Sequence, residues 1–219
     1  MLVGERMSRP VISITRDMPI HDALALFKKE RIRRAPVLKD GKLIGIISDK
    51  DLLNASPSQA TSLSVWEMNY MLSKITVKEV MTRQVLTVQA DTPIEEAARI
   101  MADNKIGGVP VMKAVKVVGM ITETDLFKIF LELMGARTKG IRVTAIAEDH
   151  PGQLAKITKA ITEAGGNFIS FGQFASAANE SNADTKTVIV TFKVAEMKME
   201  AVKKALSKVV VKFVDVREC

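Results

Sequence analysis

A seven-residue motif that combines a glycine, a hydroxyl and a carboxylate occurs twice in this chain, as Gly45, Ser48 and Asp51 and again as Gly119, Thr122 and Asp125. The glycine permits close backbone approach, the hydroxyl can donate to a phosphate or ribose oxygen, and the carboxylate can accept from two vicinal ribose hydroxyls. A hydroxyl followed three residues later by aspartate is also typical of a helix N-cap, which is the structural alternative. Two copies in register within a longer repeat favour the binding interpretation.

The motifs close the two copies of an internal repeat, because residues 7–53 align without a gap on residues 81–127. Each copy predicts a first strand (11–15 and 85–88), a helix that starts at a proline, two further strands and a last helix that begins near the motif aspartate. The pair Asp40-Gly41 predicts a tight turn between the last two strands of the first copy. Neither copy is large enough for an independent core, so we expect them to pack together with a ligand cleft between them.

Residues 7–127 resemble a tandem pair of CBS domains, also called a Bateman module, through this repeat and its paired motifs. The resemblance implies a β-α-β-β-α unit in each copy and two pseudo-symmetric clefts that hold AMP, ADP, ATP or an S-adenosyl compound as a regulatory ligand. It also implies that the motif aspartate holds the ribose while the adenine lies against the opposite copy's first strand. By position, one cleft would use Ser48, Lys50 and Asp51 with Val85 and Leu86. The other would use Thr122, Thr124 and Asp125 with Val11 and Ile12.

The residues just before the second strand differ between the copies: Arg33 and Arg34 in the first, Gly107 and Gly108 in the second. CBS domains often place basic residues there to meet phosphates, and the arginine fork can donate to two oxygens at once. We therefore predict that Arg33 and Arg34 bind phosphate, with solvated surface charges as the alternative. The glycines predict that the two clefts are not equally occupied.

A third module begins after the second repeat. Its pattern predicts a strand, a helix, two strands, a helix and a strand, over residues 141–147, 154–164, 168–174, 187–194, 197–207 and 209–216. The polar segment 176–186 between the middle strands predicts a hairpin tip. This order favours a ferredoxin-like sandwich, so the expected fold class of the whole chain is α/β (α+β).

The third module resembles an ACT domain, through the Asp-x-Pro-Gly-x-Leu loop at 149–154 and the Gly-Gly-Asn-Phe-Ile run at 165–169. The resemblance implies an amino-acid or other small-effector site at a dimer interface. The implied effector-binding residues are Asp149, Pro151, Gly152, Gln153, Leu154 and Asn167. The loop offers backbone N–H groups at a helix start, which suit a carboxylate. Alternatively, the Pro-Gly pair only turns the chain and the module only dimerises.

The order of these modules resembles the acetoin-utilisation regulator family, which implies a possible role in acetoin metabolism. The expected boundaries are a first CBS domain over 1–62, a linker helix and second CBS domain over 63–137, and an ACT domain over 138–219. We expect a homodimer or higher homo-oligomer that regulates a partner protein. An assembly scaffold without ligand sensing is the alternative function.

Composition argues against several other classes. The net charge of +7 is spread along the chain and aromatic residues make up only 5%, so we expect no nucleic-acid binding. The single cysteine, Cys219, fits a reducing cytoplasmic location, and no apolar run is long enough for membrane insertion. The two histidines, His21 and His150, have no metal-ligand spacing around them, so we expect neither a metal site nor catalysis.

Overall fold

The structure of the chain is a computed structural model that describes residues 1–55, 70, 73–175 and 186–219. The chain forms two compact units, Met1–Leu126 and Phe127–Cys219. The predicted linker helix and the predicted hairpin tip lie largely outside the described residues. No helix within the described ranges is long and apolar enough to cross a bilayer.

The first unit contains both repeats, each built on a three-stranded sheet. The elements of the first repeat are α1 (Val3–Arg6), β1 (Ile14–Thr15), α2 (Ile20–Glu30), β2 (Arg34–Lys39), β3 (Lys42–Ser48) and α3 (Asp49–Asn54). Those of the second are α4 (Val77–Val80), β4 (Val88–Gln89), α5 (Ile94–Asp103), β5 (Gly108–Lys113), β6 (Lys116–Thr122) and α6 (Glu123–Leu133). In each sheet the first strand pairs parallel to the second, which pairs antiparallel to the third.

Helix α2 follows Pro19, as the sequence predicts, and buries Ile20, Ala23 and Phe27 on one face. This face packs with strand residues such as Val37 and Ile47 to form the core of the first repeat. The tight turn predicted between β2 and β3 is confirmed, with positive φ at both of its residues, 50° at Asp40 and 75° at Gly41.

The first strands are shorter than predicted, because only Ile14–Thr15 and Val88–Gln89 pair within their own sheets. The segments before them turn to the other repeat, where Ser8 bridges to Met120 and Thr82 bridges to Ile46. The last helices also begin two residues earlier than predicted, since each starts directly after the motif hydroxyl. The last strand of each repeat thus makes a single β-bridge to the leading segment of the other repeat.

The second unit has the predicted element order. Its elements are β7 (Ile141–Glu148), α7 (Gln153–Glu163), β8 (Asn167–Ala175), β9 (Thr187–Ala195), α8 (Met199–Leu206) and β10 (Lys212–Glu218). They form an antiparallel sheet of order β10-β7-β9-β8, which is the ferredoxin-like arrangement. The last strand starts later than predicted, because the backbone N–H groups of Val209 and Val210 both donate to the Leu206 carbonyl and extend the preceding turn.

One face of this sheet packs under α7 and α8, with alternate residues of β7 and β9 fully buried. The opposite face carries polar side chains, including a lysine that is only 3% exposed, Lys193. Its Nζ donates to the carbonyl oxygens of Gly135 (3.1 Å) and Thr138 (2.9 Å). The charge of Lys193 is thus compensated by backbone carbonyls of the segment that precedes β7.

The same face carries an ion-pair cluster at the sheet edge. Asp215 accepts from Nε of Arg217 at 2.7 Å and from Nη1 of Arg142 at 3.2 Å. The bond from Arg217, followed by the charges of both arginines, holds the pKa of Asp215 below its ordinary value. The cluster joins β10 to β7 across their antiparallel pairing.

Candidate functional site

A cleft of about 220 Å³ lies between the two repeats within the first unit. Five residues predicted to bind a ligand line it: Arg34, Ser48 and Asp51 from the first repeat, and Val85 and Leu86 from the second. The structure therefore brings together the motif of one repeat and the segment before the first strand of the other. The second repeat also contributes polar residues and glycines to the lining, namely Thr82, Gln84, Lys105, Gly107 and Gly108.

The motif residues in this cleft form a capping box at the start of α3. Asp51 Oδ2 accepts from the Ser48 backbone N–H at 2.8 Å and from the Ser48 hydroxyl at 2.7 Å, and the hydroxyl oxygen accepts from Asp51 N–H at 3.2 Å. The N-cap that the sequence offered as the structural alternative is thus present. It uses only one carboxylate oxygen, since Asp51 Oδ1 accepts no hydrogen bond from any residue that the structure describes.

The motif glycines have a role that differs from the one expected. A Cβ at Gly45 would lie 2.5 Å from the sulfur of Met81, and a Cβ at Gly119 would collide with the sulfur of Met7. In both places the methionine belongs to the opposite repeat. The absence of a side chain therefore serves the packing of one repeat against the other.

Arg33 and Arg34 occupy different environments. Arg34 lines the cleft, whereas Arg33 is not among the lining residues. A Cβ at Gly107 would lie 2.6 Å from Nη1 of Arg34 and 2.8 Å from Oε2 of Glu123. Because Gly107 has no side chain, the guanidinium of the first repeat reaches over the backbone of the second. The basic position of one copy and the glycine position of the other thus belong to the same cleft.

Lys50 lies between Ser48 and Asp51 in the motif and was expected in the same cleft, but it is exposed and does not line the cleft. Thr82, Gln84 and Lys105 were not predicted. The repeat alignment could have found Thr82, because it corresponds to Ser8 and both residues lie just before the segment expected to contact adenine. The position of Lys105 depends on how the repeats pack, which the sequence pattern does not specify.

The second motif forms the same local structure with one addition. Asp125 Oδ2 accepts from Thr122 N–H at 3.0 Å and from the Thr122 hydroxyl at 2.7 Å. Its other oxygen, Oδ1, accepts from the hydroxyl of Ser8 at 3.0 Å, and Asp125 is only 5% exposed. Ser8 thereby holds the segment that leads to Val11 and Ile12, both partly buried, beside the second motif, whereas Thr124 is exposed.

A smaller pocket of about 100 Å³ lies in the second unit, at the start of α7. Four of the predicted effector residues line it: Asp149, Gly152, Gln153 and Leu154. Pro151 and Asn167 do not, since Asn167 pairs with Ala195 near the end of the β8–β9 ladder, away from the part of β8 that reaches the pocket.

Two side chains at this pocket have structural partners. The amide of Gln153 donates to the Val209 carbonyl at 2.6 Å, so this side chain joins the helix start to the segment before β10. His150 Nε2 lies 3.3 Å from a carboxylate oxygen of Glu148. Within the described part of the chain, no group of three or more His, Cys, Asp or Glu side chains could hold a metal ion.

Comparison with known families agrees with these features. The CBS domain family matches residues 3–58 and 77–132, and the ACT domain family matches residues 141–211.

Three solved structures resemble the CBS part. The CBS domain pair of protein MJ0100, crystallised with 5'-methylthioadenosine and S-adenosyl-L-methionine, is 32% identical, covers 59% of this chain and 99% of its own, and has a TM-score of 0.50. CBSX2, a protein of Arabidopsis thaliana, was crystallised with AMP; it is 27% identical, with coverages of 59% and 96% and a TM-score of 0.51. A Vibrio cholerae protein named for acetoin utilization (AcuB) is 29% identical, with coverages of 63% and 95% and a TM-score of 0.52. This chain belongs to the CBS domain family and carries two CBS domains followed by an ACT domain.

Proposed function

We propose that this chain is a non-catalytic regulatory sensor whose CBS pair binds an adenine nucleotide or an S-adenosyl compound. The observation that carries the proposal is Oδ1 of Asp51, which accepts from none of the described residues, in a cleft that Arg34 also lines. A carboxylate oxygen that is open to a donor suits the ribose diol of a nucleotide, and a nearby cation suits its phosphate. The relatives crystallised with AMP or with S-adenosyl compounds support this class of ligand.

The lining residues have complementary roles in this proposal. Asp51 Oδ1 accepts from the ribose hydroxyls, while its other oxygen stays within the capping box that fixes the carboxylate. The adenine lies against Val85 and Leu86, where a half-exposed apolar side chain, Leu86, becomes covered. Arg34 meets the phosphate, and Lys105 adds a second positive charge to the lining.

These charges favour a phosphorylated ligand over S-adenosylmethionine. Arg34 and Lys105 attract a phosphate, whereas both would repel the positive sulfonium of S-adenosylmethionine. We therefore propose AMP, ADP or ATP as the ligand of this cleft.

Calorimetric titration of the full chain, freed of any copurified ligand, with AMP, ATP and S-adenosylmethionine tests this function. We expect binding of AMP or ATP with higher affinity than S-adenosylmethionine. Asp51→Asn should remove the tightest site, because the Ser48 N–H keeps the amide oxygen at the Oδ2 position and the amide NH₂ then stands at the Oδ1 position, where it cannot accept from the ribose. Asp49→Asn is the matched control, since Asp49 lies in the same helical turn but does not line the cleft. Absence of binding by any of the three compounds would overturn the proposal.

A second candidate function is amino-acid sensing by the ACT domain. The pocket at the start of α7 places the carboxylate of Asp149 near the backbone N–H groups of the first helical turn. A zwitterionic amino acid would direct its amine to Asp149 and its carboxylate to these backbone N–H groups. Thermal shift of the full chain with the twenty amino acids tests this role, with Asp149→Asn as the sensitive variant and Glu163→Gln, at the far end of the helix, as its control.

The alternative is an assembly scaffold, in which both modules only hold a homodimer or larger oligomer together. Light scattering would then show a stable oligomer, and no nucleotide or amino acid would shift its unfolding temperature. A link to acetoin metabolism rests on similarity to the Vibrio cholerae protein. Growth on acetoin of cells that lack the gene tests that link.

A further inference from the structure

The two motif aspartates differ in how many of their oxygens are occupied. Asp51 and Asp125 each direct Oδ2 to the hydroxyl and the backbone N–H of their own capping box. Oδ1 of Asp125 also accepts from the Ser8 hydroxyl at 3.0 Å, whereas Oδ1 of Asp51 has no donor within the described ranges. Asp125 is in addition buried, at 5% exposure. The first aspartate thus offers a ligand a free oxygen, and the second does not.

The backbone around the two aspartates is nevertheless alike. Ser8 exchanges two backbone hydrogen bonds with Met120, of 2.8 and 3.1 Å, and Thr82 exchanges two with Ile46, both of 2.9 Å. Ser8 and Thr82 therefore occupy corresponding positions in the two halves. Of these two residues, only Ser8 donates its hydroxyl to the motif carboxylate beside it, within the part of the chain that the structure describes. The difference between the two motifs is therefore a side-chain contact and not a displacement of the backbone.

We propose that Ser8 acts as a latch on the second cleft. This inference rests on the proposed nucleotide-binding function and adds an order of filling to it. The Ser8 hydroxyl occupies the carboxylate oxygen that a ribose diol would use, so a nucleotide must displace it before binding to Asp125. The Asp51 cleft fills at low nucleotide concentration, and the Asp125 cleft fills only at higher concentration. The chain then responds to two concentration ranges of one ligand.

The expected size of the effect follows from the exchange of one charge-assisted hydrogen bond. Ligand binding to the second cleft breaks the bond from Ser8 and replaces it with one from the ribose, whereas binding to the first cleft breaks none. The net free energy of a hydrogen bond to a charged group corresponds to an affinity of the second site that is lower by about tenfold or more.

Calorimetric titration with AMP tests the latch in a chain whose first site is disabled by Asp51→Asn, so that only the second cleft responds. We expect Ser8→Ala in this background to tighten AMP binding about tenfold. Ser207→Ala, which removes an exposed hydroxyl from the second unit, is the matched control.

The outcomes separate the latch from the function on which it rests. If the unmodified chain does not bind AMP at all, the nucleotide-binding function itself fails. If the Asp51 cleft binds AMP but Ser8→Ala leaves the second affinity unchanged or weakens it, only the latch is refuted. An unchanged unfolding profile of Ser8→Ala shows that the variant is folded, and Ser8→Gly provides a second hydroxyl deletion should the alanine variant not fold.

Discussion

Replacement of Arg34 by alanine should weaken the binding of AMP but leave the binding of adenosine nearly unchanged. Arg34 lines the cleft beside Gly107 and Gly108 of the second repeat, together with the motif that we propose to hold the ribose. A charge-assisted hydrogen bond contributes about 1.5–3 kcal/mol, which corresponds to roughly 10- to 150-fold in affinity. Because Arg34 is only partly buried, we expect the lower part of that range at physiological salt.

The assay is a comparison of four calorimetric titrations, with AMP and adenosine on the unmodified chain and on Arg34→Ala. Arg33→Ala is the matched control, since it removes the adjacent charge from outside the cleft lining. Gly107→Ala should mimic Arg34→Ala, because its Cβ would lie 2.6 Å from Nη1 of Arg34 and displace the guanidinium. Equal losses for AMP and adenosine, or equal losses for the two arginine variants, would refute phosphate recognition by Arg34.

Three further predictions concern stability. Gly45→Ala should destabilise the first unit by about 1–3 kcal/mol in urea unfolding, because of overpacking against Met81, and Met81→Ala should reduce that penalty in a double-mutant cycle. Lys193→Met should cost about 1–3 kcal/mol, measured in the same way, because two backbone carbonyls lose their donor; an unchanged stability would contradict this. The hydrogen bond from Arg217 lowers the pKa of Asp215 in the folded state. The ionised Asp215 therefore stabilises the fold at pH values above the unfolded-state pKa of about 3.9. This stabilisation is lost as the pH falls through the lower folded-state pKa. Unfolding of Asp215→Asn from pH 6 to pH 2 should therefore show a weaker loss of stability on acidification than the unmodified chain.

The fold of the CBS pair and part of the first cleft could be predicted from the sequence, because the internal repeat carries a clear pattern. The repeat carries the resemblance to CBS domains, and it is this resemblance that implies Val85 and Leu86 of the other copy as partners of Ser48 and Asp51; the structure places all four in one cleft. The ferredoxin-like order of the last module followed in the same way from hydrophobic periodicity alone. Such features are local or repeated, so they leave a signal in the sequence.

The contacts that the sequence did not reveal depend on side-chain direction and long-range packing. Adjacent residues of an extended chain point to opposite sides, so only one of Arg33 and Arg34 can face the cleft, and composition does not say which. The bond from Ser8 to Asp125 joins residues that are 117 positions apart. The ACT family pattern implies Asn167 as an effector-binding residue, but in the structure of the single chain Asn167 does not line the pocket.

The bridges from Ser8 to Met120 and from Thr82 to Ile46 make the two repeats exchange their leading segments. A gene cut in the segment between the repeats would therefore yield two fragments that each keep their own three-stranded sheet but lack the bridge partner of β3 or β6. A mixture of both fragments could restore these bridges. Co-expression of the two halves would therefore report directly on the contact between the repeats, because each bridge has one partner in each half.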